Sequence, residues 1–144
     1  MRPILPLLVL MLLCLAATGS AAAEMMITVP DTVVPEKLQH YIVEDPDSSY
    51  TTVMIIELVN NTTTGTAASR HGSGVCDISL ALDGPVGQIS ELIVVALQED
   101  PPLIVPGQSR DAVLDLFPNR PFEIVSVTLS EQTLIQGIFS VFGL

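Results

Sequence analysis

The chain has two histidines, His40 and His71, so acid–base chemistry near neutral pH has to be built around one of them. His71-Gly72-Ser73-Gly74 sets a serine two residues beyond an imidazole. The flanking strand–turn–helix pattern of a nucleophile elbow is missing, and glycines around a serine are ordinary loop composition. No catalytic residue is assigned, and the chain reads as a non-enzymatic protein without a cofactor. Zinc needs several Cys and His at short spacing, whereas His40, His71 and Cys76 fall in three separate segments. Glu44, Asp45 and Asp47 around Pro46 offer the hard oxygen ligands that calcium takes, without the regular spacing of a calcium loop. They stand as weak metal candidates against the competing reading of a solvated acidic turn. Asn60-Asn61-Thr62 and Asn61-Thr62-Thr63 are overlapping acceptor sequons, which makes Asn60 and Asn61 glycosylation candidates if the host glycosylates exported proteins. The bland alternative is that Asn and Thr make good turns.

These residues matter only in the compartment where the chain works. Arg2, the apolar run Ile4 to Ala17 and the small residues Ala21-Ala22-Ala23 form the three parts of a secretory leader, with the cut expected after Ala23. An uncleaved anchor, needing about twenty apolar residues, and lipidation of Cys14 are the weaker alternatives. The expected organisation is a signal peptide over 1–23 and one domain over 24–144, with no membrane span in the mature form. Loss of Arg2 takes the net charge from −11 to −12. A field of that sign repels phosphates and anionic lipid, so nucleic acid is excluded as a partner. With Cys14 removed, Cys76 has no internal disulfide partner. It alternates with Ile78, Leu80 and Leu82 on one side of a strand and is expected in the core.

The elements that must position these residues read as strands. Short apolar runs rich in Val, Ile and Thr recur about every ten residues between turn residues, as in a sandwich or barrel. The spacing predicts strands at Met25 to Val29, Leu38 to Val43, Tyr50 to Val59, Val75 to Asp83, Ile89 to Leu97, Ala112 to Phe117, Phe122 to Leu129 and Leu134 to Phe142. In Tyr50 to Val59, Val53, Met54, Ile55 and Ile56 run without a polar break before Glu57, and this strand is expected to be the most buried, at the centre of a sheet. Asp111 to Leu116 alternates like a strand with one wet face. Asn60 to Gly65 and Gly72-Ser73-Gly74 bound what reads as a polar connection.

Val105-Pro106-Gly107 followed by the polar Gln108-Ser109 reads as a tight reversal, with Pro106 presetting φ and Gly107 supplying a positive φ. Together with Thr32-Val33-Val34-Pro35-Glu36 near the start and Val59-Asn60-Asn61-Thr62 after the central strand, this turn chemistry resembles the immunoglobulin-like modules of archaeal and bacterial cell surfaces, including the adhesion modules called CARDB. Such modules commonly carry Gly where Glu36 stands. Secreted relatives of the water-stress (late-embryogenesis-abundant) sandwich domain have a similar outline. Both resemblances imply an all-β, antiparallel immunoglobulin-like β-sandwich of seven to eight strands, and neither implies an active site.

The apolar end of the chain, with Leu134, Ile138, Phe139 and Phe142, is expected to close the sheet or to be offered as a strand to a partner. The functional expectation is a secreted or cell-surface module, periplasmic in a Gram-negative host, acting in protein–protein attachment or self-assembly through sheet edges. The alternative is an extracellular domain binding a small ligand or calcium at the Glu44 to Asp47 loop.

Overall fold

The structure is a computed structural model that describes residues 25–44, 50–70 and 74–131. Seven strands and one short helix follow in order: β1 Met26–Thr28, β2 Leu38–Glu44, β3 Thr52–Val59, β4 Thr62–Arg70, β5 Val75–Ala81, β6 Ile89–Leu97, α1 Arg110–Leu114 and β7 Phe122–Thr128. They form a three-stranded sheet, β1-β2-β5, and a four-stranded sheet, β4-β3-β6-β7, with every strand pair antiparallel. The protein is therefore an all-β sandwich.

Alternation builds the layer between the sheets. Tyr41 and Val43 on β2 and Cys76, Ile78 and Leu80 on β5 point inward, against Val53 and Ile55 on β3, Leu92, Val94 and Ala96 on β6, and Val127 on β7. Cys76 lies in this layer as its strand pattern predicts, and burial pushes its thiol pKa up. Beyond β7, Leu129 pairs in parallel with Val33, and the Ser130 N–H donates to Val33 O at 2.8 Å. That bridge closes one side of the sandwich.

β3 is the centre of the larger sheet, as its apolar run predicts, and it has no wet face: every residue from Thr52 to Leu58 is buried. Met54, Ile56 and Leu58 on β3, with Ile93, Val95 and Leu97 on β6, form a second apolar layer on the outer side, covered by Ile104, Val113 and Phe117. The cover is the segment 98–121 that links β6 to β7. The strand expected at Ala112 to Phe117 is not formed there. Ser109 instead caps α1, its hydroxyl accepting from the Ala112 N–H, and Asp111 sits in the first turn. Val113 on the helix and Phe117, in the turn two residues past the Asp115 C-cap, are buried, while Leu116 stays exposed.

A second correction concerns the polar connection after Asn60. Thr62–Arg70 is a nine-residue strand, joined to β3 by a two-residue hairpin in which Asn60 (φ 52°) and Asn61 (φ 61°) are both left-handed. This is the type I′ turn, whose twist suits a hairpin and which Asn tolerates. Burial cannot advertise an edge strand of small and polar residues. The strand expected at Leu134 to Phe142 lies outside the described residues.

The Pro106-Gly107 reversal forms as its residues dictate, with Gly107 at φ 92° and the Gln108 N–H directed to Val105 O at 3.4 Å. Val34-Pro35-Glu36-Lys37 makes an equivalent turn with a non-glycine in the strained place. Glu36 has φ 60°, and the Lys37 N–H closes onto Val34 O at 3.3 Å. A left-handed L-residue costs roughly 1–2 kcal/mol, partly offset because glycine loses more freedom on folding. Glu36→Gly is expected to raise the urea midpoint by a stability gain of up to about 1 kcal/mol without changing the denaturation slope.

Candidate functional site

Pairing of β2 with β5 sets His40 opposite Ser79, and the neighbouring Asp77 reaches the same ring. His40 Nδ1 lies 3.0 Å from Asp77 Oδ1 and 3.4 Å from Ser79 Oγ. A carboxylate only accepts, so this contact places a proton on Nδ1 and leaves Nε2 turned away from both partners. In a hydrolytic triad the serine must meet the nitrogen opposite the carboxylate. Here both groups meet the same nitrogen on an exposed sheet face, so the trio is a hydrogen-bonded His–Asp pair with a polar neighbour. The sequence-level search missed it because Asp77 and Ser79 are distant from His40 in the chain.

At the end of β3 the Asn60-Asn61 hairpin is locked to the covering segment through Thr63. The Thr63 hydroxyl donates to Val105 O at 2.8 Å and accepts from the Gln108 N–H at 2.9 Å. The Thr63 N–H donates to Gln108 O, and the Gly107 N–H donates to Thr63 O, each at 2.9 Å. Two residues past Gln108, the Arg110 N–H donates to Asn61 O at 2.9 Å, and Arg110 Nη1 stands 3.3 Å from Glu91 Oε2. The shallow notch beside the hairpin, about 320 Å³, is lined by Asn61, Ser109, Arg110 and Asp111. Its single arginine and single aspartate make no acidic hollow. Asn60 and Asn61 themselves are exposed at the turn, in keeping with a surface sequon.

The opposite end of the sandwich holds Glu44, exposed at the end of β2, while Asp45 and Asp47 lie outside the described residues. Near it a wider hollow of about 640 Å³ is lined by Thr51, Thr52, Arg70, Gln98, Glu99 and Asp100. Its charges are matched within the chain, Arg70 with Asp100 and Arg120 with Glu99. Among the described residues no three His, Cys, Asp or Glu side chains gather to hold a metal ion. Leu134, Ile138, Phe139 and Phe142 lie outside the described residues.

Inside the sandwich the structure brings together a polar group that the sequence announced only by a carboxylate interrupting an apolar strand. Glu57 is 2% exposed, and its Oε1 accepts from Ser90 Oγ at 2.8 Å. Gly65 on β4 leaves room for the other oxygen: a Cβ there would stand 3.4 Å from Glu57 Oε2. The Tyr41 hydroxyl is buried without a hydrogen-bond partner among the described residues. Burial, with the Glu57 carboxylate adding to it, pushes its pKa up to about 12 from 10.0.

β1 and β5 border one sheet, and β4 and β7 border the other. The β1/β7 side carries the Val33–Leu129 bridge. On the β4/β5 side the sheets touch where the Cys76 thiol approaches Ser69 O at 4.0 Å. Among the described residues no helix is long and apolar enough to cross a membrane. No family model, curated protein or solved structure matches the chain.

Two outcomes follow. Thr63→Val strips Val105 O and the Gln108 N–H of their hydroxyl partner and is expected to cost about 1–3 kcal/mol in denaturant unfolding, with faster exchange of the Gln108 amide. Tyr41 keeps its proton in the folded state to higher pH than in the unfolded state, so its contribution is intact below pH 10 and is lost as pH rises toward 12. Tyr41→Phe removes an unpaired buried hydroxyl and should flatten that alkaline loss in melting curves recorded from pH 9 upward without lowering stability at neutral pH.

Proposed function

We propose that this chain is an extracellular or cell-surface immunoglobulin-like sandwich module that acts in protein–protein attachment or assembly through its sheet edges. The observation that carries the reading is the side of the sandwich bordered by β4 and β5. There β4, from Gly65 onward, and the seven-residue β5 border their sheets with no further strand paired to them, leaving edges to which another strand can add. The strand order supports the immunoglobulin-like part of the reading. One sheet runs β1-β2-β5 and the other β4-β3-β6-β7, and the chain ahead of β2 pairs first with β2 and then, at Val33, with the far sheet.

Export is the second element of the proposal, resting on the charged, apolar and small-residue sequence of 1–23 and on a net charge that keeps a small protein soluble. The apolar Leu134, Ile138, Phe139 and Phe142 supply a strand of suitable pattern for exchange between partners. The geometry favours no catalytic role, because the exposed His40 trio is not arranged for proton relay.

Expression of the full chain in a secreting host, followed by mass spectrometry and light scattering, tests the reading. The expected result is a product cut after Ala23 with a mass above that of one chain. Loss of the oligomer on deleting Ile135 to Leu144 would place the added strand in the tail, and persistence would place the pairing edge elsewhere. A single-chain mass at every concentration overturns self-assembly. A melting temperature that rises with calcium would speak instead for Glu44, Asp45 and Asp47 as a ligand site.

A further inference from the structure

Resting on that assembly reading, we propose that two copies of this chain join edge to edge through antiparallel pairing of the β4 strands, centred near Ala67, to give one continuous eight-stranded sheet. The choice of edge comes from charge. A chain with sixteen acidic residues against five basic ones repels its own copies, so a self-complementary surface must lack carboxylates. β5 carries Asp77, β7 carries Glu123, and β1 has only three residues. β4, Thr-Thr-Thr-Gly-Thr-Ala-Ala-Ser-Arg, has none, and its one charge, Arg70, is already matched by Asp100.

Access gives the register. Gly107 to Arg110 covers the backbone of Asn61 and Thr63, and Thr64 is the extra residue where the pairing with β3 shifts. The regular stretch is Gly65 to Arg70, where Thr66, Ala68 and Arg70 are exposed and the Cys76 thiol of β5 approaches at Ser69 O. It has no proline, lysine or inward charge of the kind that blunts an edge. A two-fold axis through the sheet at Ala67 sets Thr66 of one copy opposite Ala68 of the other, both exposed in the single chain, and Gly65 opposite Ser69. All are small enough for backbones to approach. The pairing closes on itself, so it makes a dimer and not a fibre.

The test is sedimentation equilibrium on the secreted full-length product across a concentration series. Wild type should be a reversible monomer–dimer mixture. Thr66→Glu with Ala68→Glu should raise the dissociation constant by roughly tenfold or more while leaving the melting temperature of dilute protein unchanged. Thr28→Glu with Ser79→Glu adds the same charge to the other sheet and should shift it far less. Mixing the Glu pair with Thr66→Lys, Ala68→Lys should restore a mixed dimer. An oligomer that survives the β4 Glu pair overturns the β4 edge while leaving assembly through another surface intact. A monomer at all concentrations overturns both.

Discussion

The structure depends on one constraint: the central strands of the four-stranded sheet are apolar on both faces. In a two-layer sandwich, one face of each sheet meets water and its side chains can be polar. β3 and β6 give up that economy, since Met54, Ile56, Leu58, Ile93, Val95 and Leu97 would stand in solvent if only the facing sheet covered them. A third layer is therefore obligatory. The segment 98–121 supplies it by running from the Arg70 end, where Asp100 meets Arg70, to the Asn61 hairpin, and then returning to start β7 beside Val95. Few of its residues are in regular structure, so its fixity rests on Ile104, Val113 and Phe117 beneath it and on the Thr63 lock at its turning point. The hairpin and the cover consequently hold each other.

A comparable trade is made in the inner layer. Around Glu57 the core accepts a carboxylate and a phenol where aliphatic side chains would pack without desolvation cost. Ser90 meets one carboxylate oxygen, and the absence of a side chain at Gly65 leaves space beside the other. Glu57 sits between Gly65 on β4 and Leu92 on β6 in the ladder, with its hydrogen bond coming from the β6 side. β4 is held to the sandwich by its backbone ladder to β3, by the Thr63 lock and by Ala67, which packs against the inner layer.

What the sequence made legible follows the same physics. β3 and β6 were readable because unbroken runs of branched apolar residues have few other solutions, and Cys76 was placed by simple alternation. α1 was not, because Asp111 to Leu116 alternates over too few residues to separate a period of two from the spacing between Val113 and Phe117. The signal that decides it is Ser109 with Asp111 two residues on, a helix start and not a strand start. β4 was hidden for the opposite reason: an edge strand that buries little needs no apolar pattern, and its threonines and alanine pair read equally well as a loop. Of the candidate sites, the exposed Asn60-Asn61 turn was legible from turn chemistry. Glu57 stood out only as an interruption, and its hydrogen bond from Ser90 depends on sheet order, which no local pattern encodes.

Charge and edge geometry pull against each other in this protein. The acidic surface keeps copies apart at long range, yet that field is screened over about 8 Å at physiological salt, whereas backbone pairing acts at hydrogen-bond distance. In the proposed dimer, association is governed by which edge can be approached without carboxylates meeting. The sandwich answers by bridging its β1 and β7 side through Val33 and Leu129 and by placing acidic side chains on β5 and β7. The remaining uncharged length is on β4, directly beyond the lock that orders the covering segment. Because β4 is paired to β3 without interruption from Gly65 to Arg70, a strand added there would extend the sheet whose central strands are packed on both faces, without ordering any further part of the chain.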